Sequence, residues 1–517
     1  MTKGVMEEMM RKSSVLVLGA VLGIFLAASA WAAPSFTDVT DQSTAGDRGR
    51  GKGVAFADID GDGDWDMYIS NKGGANVLYR NDSVPGKIKF TDISASAGDN
   101  VGDTGYAMGS SFADVDNDGR PDLFMAKGGI YEIEANRLLR NETVNGKIQF
   151  RDITREAGLD TKDFTYGSSW GDYDNDGDLD LYCANYGVGR KNRLFRNDSK
   201  DGKIKFTEVT EAAGVGDRSW SWSASWADVN SDGFLDLYVV NGRYPAGEPN
   251  VFYLNNGDGT FRNFSKESGL DDANWGLGAT FADHDNDGDL DCFLSNYVGP
   301  NRMLINDGTG RFTENSKKLG LDHVGWGKGP SWGDFDHDGR MELYEGDCKQ
   351  ANQLYKWDAS KGKYVDLVPQ MPILANEAVR TKGTQFADID GDGDLDLYVV
   401  NWSVSNRVYL NTQNDKGWLK VRTQGTVSNK VGIGSKVTVY AAGKAEQKSG
   451  LVAFREMSSF TGFCSGPPPE LHFGLDASRT YDVVVVFPSG AKEILRGVST
   501  GKTLNVIEPD ARKVAKQ

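Results

Sequence analysis

Cysteine and histidine are scarce in this chain, with four of each among 517 residues. Cys183, Cys292, Cys348 and Cys464 are scattered without a CxxC pair, so no disulfide framework or zinc site can be read from their spacing. Cys183 and Cys292 follow the strand-like stretches DLDLY and GDLD and read as small buried hydrophobes. No GxSxG, HExxH, phosphate-binding loop or dinucleotide fingerprint is present. Basic residues are outnumbered 57 to 74, and the net charge of −17 disfavours a nucleic-acid or anionic-lipid surface and suits a binder of cations. Past residue 32 no apolar run is long enough to cross a membrane.

What is present begins with an N-terminus that reads as an export signal. Basic Arg11 and Lys12 precede an apolar run from Val15 to about Ala28, and small residues suit cleavage after Ala30 or Ala32. The expected organisation is a signal peptide over 1–32, a repeat region over 35–411, a small β-domain over 418–508 and a polar tail over 509–517. Glycine, at 64 residues, is well above its usual share of about 7%, so turns should be frequent.

The dominant feature is one acidic string written seven times. FADIDGDGDWD (56–66) returns as FADVDNDGRPD, WGDYDNDGDLD, WADVNSDGFLD, FADHDNDGDLD, WGDFDHDGRME and FADIDGDGDLD, with first aspartates at 58, 114, 172, 228, 283, 334 and 388. Each period of about 55 residues also carries a strand-like run such as LDLYVVN, an Asn-led run such as NRLFRN and a segment such as KFTEVT. Four short strands per unit predict an all-β fold, a seven-bladed β-propeller. SFTDVT (35–40) resembles those closing segments but precedes the first loop, while the seventh unit lacks one after NRVYLN (406–411). The N-terminal strand is therefore expected to complete the last blade and leave no free sheet edge there.

Written as DxDxDGxxD, the loop points side chains 1, 3 and 5 to one side and turns at the glycine in the sixth position. It can then offer a carbonyl at position 7 and return an acid at position 9. Converging hard oxygens specify Ca²⁺ over a transition metal, with Mg²⁺ less suited to flexible, protein-lined loops. Without a cation these carboxylates would repel one another. An EF-hand requires Glu at position 12 and flanking helices; here position 12 is Ile69, Met125, Cys183, Val239, Leu294 and Val399, with an acid only at Glu345. Up to seven structural calcium ions would bring −17 close to −3. The fourth loop, with Asn230 in place of an aspartate, is expected to bind most weakly.

These loops, with their FAD and WGD lead-ins, resemble the FG-GAP repeats of integrin α-subunit propellers and the VCBS repeats of bacterial exported proteins. The resemblance implies ligands Asp58, Asp60, Asp62 and Asp66 with the Asp64 carbonyl. It implies Asp114, Asp116, Asp118 and Asp122 with Arg120, and Asp172, Asp174, Asp176 and Asp180 with Asp178. The fourth and fifth sets are Asp228, Asn230, Asp232 and Asp236 with Phe234, and Asp283, Asp285, Asp287 and Asp291 with Asp289. The last two are Asp334, Asp336, Asp338 and Glu342 with Arg340, and Asp388, Asp390, Asp392 and Asp396 with Asp394. VGIGSKVTVYAAGKAEQKS (431–449), ELHFGLD (470–476) and YDVVVVFPSGAKEIL (481–495) resemble the ASPIC/UnbV domain, which follows such a propeller in the cartilage acidic protein family. His472 reads as a packed residue within it.

Eight residues before each first aspartate stand Arg50, Tyr106, Phe164, Trp220, Trp275, Trp326 and Arg380. Placed on the innermost strands, they would ring the channel mouth opposite the loops, with Arg50 and Arg380 side by side and Trp222 in phase with Trp220 and Trp226. Such a ring serves packing between blades, or binds sugars and anionic or aromatic groups. The expected function is a secreted, calcium-binding scaffold for adhesion to an extracellular protein or glycan. The alternative is a carbohydrate-active enzyme, a lyase or hydrolase, working at the mouth. Five NxS/T triplets begin at Asn81, Asn141, Asn197, Asn263 and Asn401, and turn chemistry accounts for those at recurring strand ends.

Overall fold

The computed structural model describes residues 36–128, 134–187, 189–243, 247–376, 380–413 and 415–509. The expected export segment over 1–32 lies outside them, as does all but the first residue of the 509–517 tail.

Each period folds into one antiparallel four-stranded sheet whose strands lie in chain order. The first comprises Gly51–Ala57, Asp66–Asn71, Val77–Asn81 and Phe90–Asp92. Every residue of its first two strands is buried, whereas the outermost strand buries only Phe90. A sheet covered on both faces accepts near-continuous apolar runs, which is why LDLYVVN-type stretches do not alternate. Seven such sheets form, and in the seventh Phe36 pairs with Asn411, Thr37 with Leu410 and Asp38 with Tyr409. The N-terminal strand thus supplies the fourth strand of the last sheet, as its sequence predicts.

Neighbouring sheets are latched by a repeated hydrogen bond. The asparagine ending the third strand donates its side-chain amide to a loop carbonyl of the preceding unit: Asn141 to Ile59 at 2.9 Å, Asn197 to Val115 at 2.9 Å and Asn255 to Tyr173 at 2.8 Å. Asn81 of the first unit makes the same bond to Ile389 of the seventh at 2.8 Å. The Tyr398 hydroxyl of the seventh unit donates to Ala45 O at 2.8 Å. Phe56 and Met67 of the first sheet share a core with Tyr398 and Val408 of the seventh, so the order of neighbours is cyclic. Asn81, Asn141 and Asn197 are buried in these latches, which explains their recurrence as structural rather than as exposed acceptor sites.

Residues 418–507 build two further sheets. Trp418–Gln424 lies between Leu471–Gly474 and, in parallel, Lys502–Ile507. Lys436–Ala441 lies between Leu451–Glu456 and Thr480–Val486, with Lys492–Ser499 at the edge. Val421, Val437, Val439, Phe473, Val483 and Val485 form their core, which is continuous with Trp170 and Leu181 of the third blade.

Candidate metal loops and the channel they frame

The seven loops share one backbone course. Position 4 is left-handed in each, occupied by Gly61, Asn117, Asn175, Ser231, Asn286, His337 and Gly391. Two residues on, the sixth-position glycines from Gly63 to Gly393 have φ between +89° and +104°. Only glycine occupies that second conformation without strain, which fixes the DG dipeptide of the string. The first aspartate caps the turn it starts: Asp58 accepts from Gly61 N at 2.7 Å and from Gly63 N at 3.0 Å. The ninth residue closes it, Asp66 accepting from Ile59 N at 2.9 Å and from Asn81 N at 2.8 Å. The same bridge to the third strand recurs wherever the ninth residue is an aspartate, whereas Glu342 of the sixth loop meets the Lys356 ammonium instead.

Positions 1, 3 and 5, or 1, 3 and 9, come together closely enough to hold an ion, as in Asp58, Asp60 and Asp62, or Asp172, Asp174 and Asp180. The same oxygen is orphaned in several loops: Oδ1 of Asp60, Asp116, Asp174 and Asp336 is buried without a hydrogen-bond partner. Burial, reinforced by neighbouring carboxylates, lifts Asp66 to about 8 and Asp114, Asp172 and Asp283 to about 7. Buried oxygens that lack donors and carboxylates that resist ionisation are what a hard divalent cation relieves, so the residues fit such an ion.

The loops are not equivalent. In the sixth, the Lys356 ammonium lies among the acids, 2.6 Å from Asp336, 2.5 Å from Asp338 and 3.0 Å from Glu342. In the second, Arg140 reaches Asp116 at 2.6 Å. In the fifth, His284 Nδ1 lies 2.5 Å from Asp291. The sequence marks the fourth loop as the weak one; the structure marks the sixth as the loop in which one ammonium contacts three of the acids. Its signal was the residue two before the strand end in QLYKWD, aligned with Arg80, Arg140 and Arg196.

The loop face is covered by the C-terminal sheets. Lys420 pairs with Asp388, Lys436 with Asp228 at 2.5 Å, and Arg455 lies buried near Asp283 and Asp334. Arg422 donates to Gly63 O at 3.0 Å and stacks on Trp65, and the His472 ring meets Gly393 O at 2.9 Å. His472 is thus a docking residue. First-position aspartates therefore serve both the loop and the domain that lies on it.

From this face the segment 458–466 enters the channel. Ser459 bonds Trp170 O, Gly462 N donates to Ala279 O at 3.1 Å, and Gly466 bridges the first strand through Val54 O at 2.9 Å and Phe56 N at 3.2 Å. Its tip, Phe463 and Cys464, packs with Tyr166, Trp222 and Leu277. A Cβ on Gly53 would lie 1.6 Å from Cys464 O, and one on Gly278 2.6 Å from the Gly462 carbonyl carbon. Those glycines stand five residues before their loops, a place held by glycine in six units and by Ser223 in the other. That row was the legible sign of a filled channel.

At the opposite end, Phe164 is buried, Tyr106, Trp220 and Trp275 are half-buried, Trp326 is 37% exposed, and Arg50 and Arg380 are exposed. Both arginines pair through their backbones with Trp402, which stands between them. Trp220 and Trp222 both contact Tyr186, with ring centroids 4.6 Å away, whereas Trp226 packs on Tyr173 and Phe261. A register shift between Ser221 and Ser223 separates the two groups. All four cysteines are free and buried.

Seven four-stranded sheets in cyclic order, a repeated acidic loop and a docked β-domain define a β-propeller followed by a small β-domain. The FG-GAP-like repeat family matches residues 58–125, 172–239, 240–294 and 283–345, and the ASPIC and UnbV family matches 425–513. The chain is similar to cartilage acidic protein 1, at 26% identity to that of Homo sapiens and 25% to that of Mus musculus over 441 residues. These alignments cover 78% of this chain and 63% and 64% of the relatives, so the chain spans somewhat under two thirds of their length. The solved structure of BBS1N in complex with ARL6DN, soaked with mercury, superposes with a TM-score of 0.45 at 9% identity, covering 74% of this chain and 98% of that one.

Proposed function

We propose that the loops are calcium sites and that the protein is an exported binding scaffold for an extracellular protein or glycan. The observation that carries the metal reading is the recurrent orphaned oxygen at position 3, buried among acids and without a donor. Side chains at positions 1, 3, 5 and 9 and the carbonyl at position 7 would hold the ion, which supplies positive charge to the loop and leaves each sheet anchored at that end. Because first-position aspartates also meet Lys420, Lys436 and Arg455, the same ions would settle the charge balance of the docked domain. With that face covered, recognition falls to the opposite mouth.

Export rests on the basic, apolar and small-residue pattern of 1–32. The organisation 35–411 and 418–508 is part of the same reading. Removal of calcium with a chelator is expected to lower the melting temperature, since a site filled at about 100 times its Kd contributes about 2.7 kcal/mol. An unchanged melting temperature would end the metal reading. A glycan and protein array, probed with and without calcium, tests the scaffold reading.

A further inference from the structure

Six residues before each first aspartate, the innermost strands present a second ring, one layer inside the mouth. The sixth, seventh and first units contribute Lys328, Lys382 and Lys52, which are 5%, 8% and 6% exposed. The third and fourth contribute Tyr166 and Trp222; Met108 and Leu277 complete the ring. One side of the ring is therefore cationic and the other apolar.

The ammonium groups rest on aromatic faces. Lys52 lies 5.2 Å from the Tyr166 centroid and 5.1 Å from that of Trp402; Lys382 lies 5.5 Å from Trp402. Lys328 lies 5.6 Å from Trp222 and 4.5 Å from Phe463 of the inserted segment. Lys382 also meets Cys348 Sγ at 3.0 Å. Among the described residues none of the three forms an ion pair with a carboxylate. Burial, and then repulsion from the neighbouring lysines, lowers the proton affinity of Lys52 and Lys328. Three buried, mutually repelling cations in a chain of net charge −17 are costly unless an anion compensates them.

The rim repeats the pairing outward. Lys72 lies over Tyr106 at 5.7 Å, Arg243 over Trp220 at 4.9 Å, Lys349 over Trp326 at 5.1 Å and Arg50 over Trp402 at 5.9 Å. Flat apolar faces alternate with cations from the buried layer to the surface. That pattern suits a chain of rings bearing oxyanions, its ring faces on the indoles and its anions on the lysines. An extended peptide would instead require free strand edge, and Gly462 and Gly466 already occupy Ala279 O, Val54 O and Phe56 N.

We propose that this mouth binds an acidic saccharide, with a sulfate or carboxylate group among Lys52, Lys328 and Lys382. The proposal rests on the mouth being the recognition surface and is independent of the metal reading. The test is calorimetric titration of the calcium-saturated full chain with a sulfated hexasaccharide, a uronate hexasaccharide, a neutral hexasaccharide and a hexaglutamate peptide. One or both acidic saccharides bind, the sulfated and uronate arms distinguishing the source of the oxyanion, and the other two probes do not. Lys52→Met and Lys328→Met each weaken binding by about tenfold or more. Neither lowers the ligand-free melting temperature, because each replaces a buried amine that has no carboxylate partner with an apolar side chain of similar length. Should either variant fail to fold, Trp326→Ala on the exposed rim carries the test and also weakens binding. Equal affinity for neutral and acidic saccharides, preference for the peptide, absence of saccharide binding, or affinity unmoved by the substitutions would overturn the proposal. Peptide preference would keep the mouth as the recognition surface and replace its ligand, whereas failure of chelation to destabilise the chain would count against the metal sites alone.

Discussion

Lys356 Nζ lies 2.6 Å from Asp336 Oδ2 inside the sixth loop, and contacts to Asp338 and Glu342 complete its enclosure. Burial by itself disfavours the ammonium, but the three acids outweigh it and hold the group above its ordinary range. The sixth loop is therefore neutralised from within. Calcium titration of the full chain is expected to show fewer sites than the seven loops. Lys356→Met should add one site, while destabilising the metal-free protein by about 3–5 kcal/mol because the enclosed acids lose their counter-charge. Calcium stoichiometry and chemical denaturation with and without chelator check both halves.

The seam between the first and last units depends on the Asn81 amide, which donates to Ile389 O at 2.8 Å and to Trp65 O at 3.1 Å. Asn81→Ala leaves two buried carbonyls without that donor and should cost about 1–3 kcal/mol. Asn141→Ala removes the same latch between the first and second units, so it serves as the internal comparison. Hydrogen exchange is expected to quicken across Phe36–Asp38 and Arg407–Asn411 in the Asn81 variant and not in the Asn141 variant.

Glu508 gives the C-terminal sheets a pH dependence. Burial pushes its carboxyl up, but donation from Ser489, from the amides of Val427, Thr426 and Ser428, and from the Ser428 hydroxyl outweighs it and brings the group from 4.5 to about 2. A folded value below the unfolded one means that the stabilisation is present above about 4.5 and is lost as pH falls toward 2. Glu508→Gln should melt below the parent at neutral pH, and the gap should close through that window. Paired melting curves from pH 7 to 2 check it, because the acidic loops are the same in both proteins.

Local and repeated features were legible; long-range ones were not. The turn at the sixth-position glycine, the strand runs and the spare strand at Phe36–Asp38 each follow from a few adjacent residues written several times, so chemistry and period reinforce each other. The pairing of Lys436 with Asp228 joins residues 208 apart and belongs to no repeat, so nothing in the string DVNSDG announces a partner. Lys52, Lys328 and Lys382 stand in a regular column but in only three of the seven units, and the column two residues earlier, with aromatics in five units, carries the stronger signal. The inserted segment had its sign in the glycine column, whose meaning depends on knowing that something fills the channel.

That filling gives the sharpest prediction. Cys464 is fully buried at the tip of the inserted segment, and burial pushes its thiol up to about 12 despite the lysines nearby. A thiol in that state is inert to alkylation. Gly53 faces it so closely that a single methyl group would overlap Cys464 O, and neither backbone can yield without moving the segment or the strand. Overpacking of this kind costs about 1–3 kcal/mol, and about 1.4 kcal/mol already changes an opening equilibrium tenfold. Gly53→Ala should therefore raise the native alkylation rate of Cys464 by about tenfold or more, while Cys183 and Cys292, buried between sheets, stay protected. Gly74→Ala is the control, since a Cβ there meets nothing closer than 3.9 Å. Peptide mapping after timed labelling reads the result, and a Cys464 that stays as slow as in the parent would mean that the segment does not sit against the first strand.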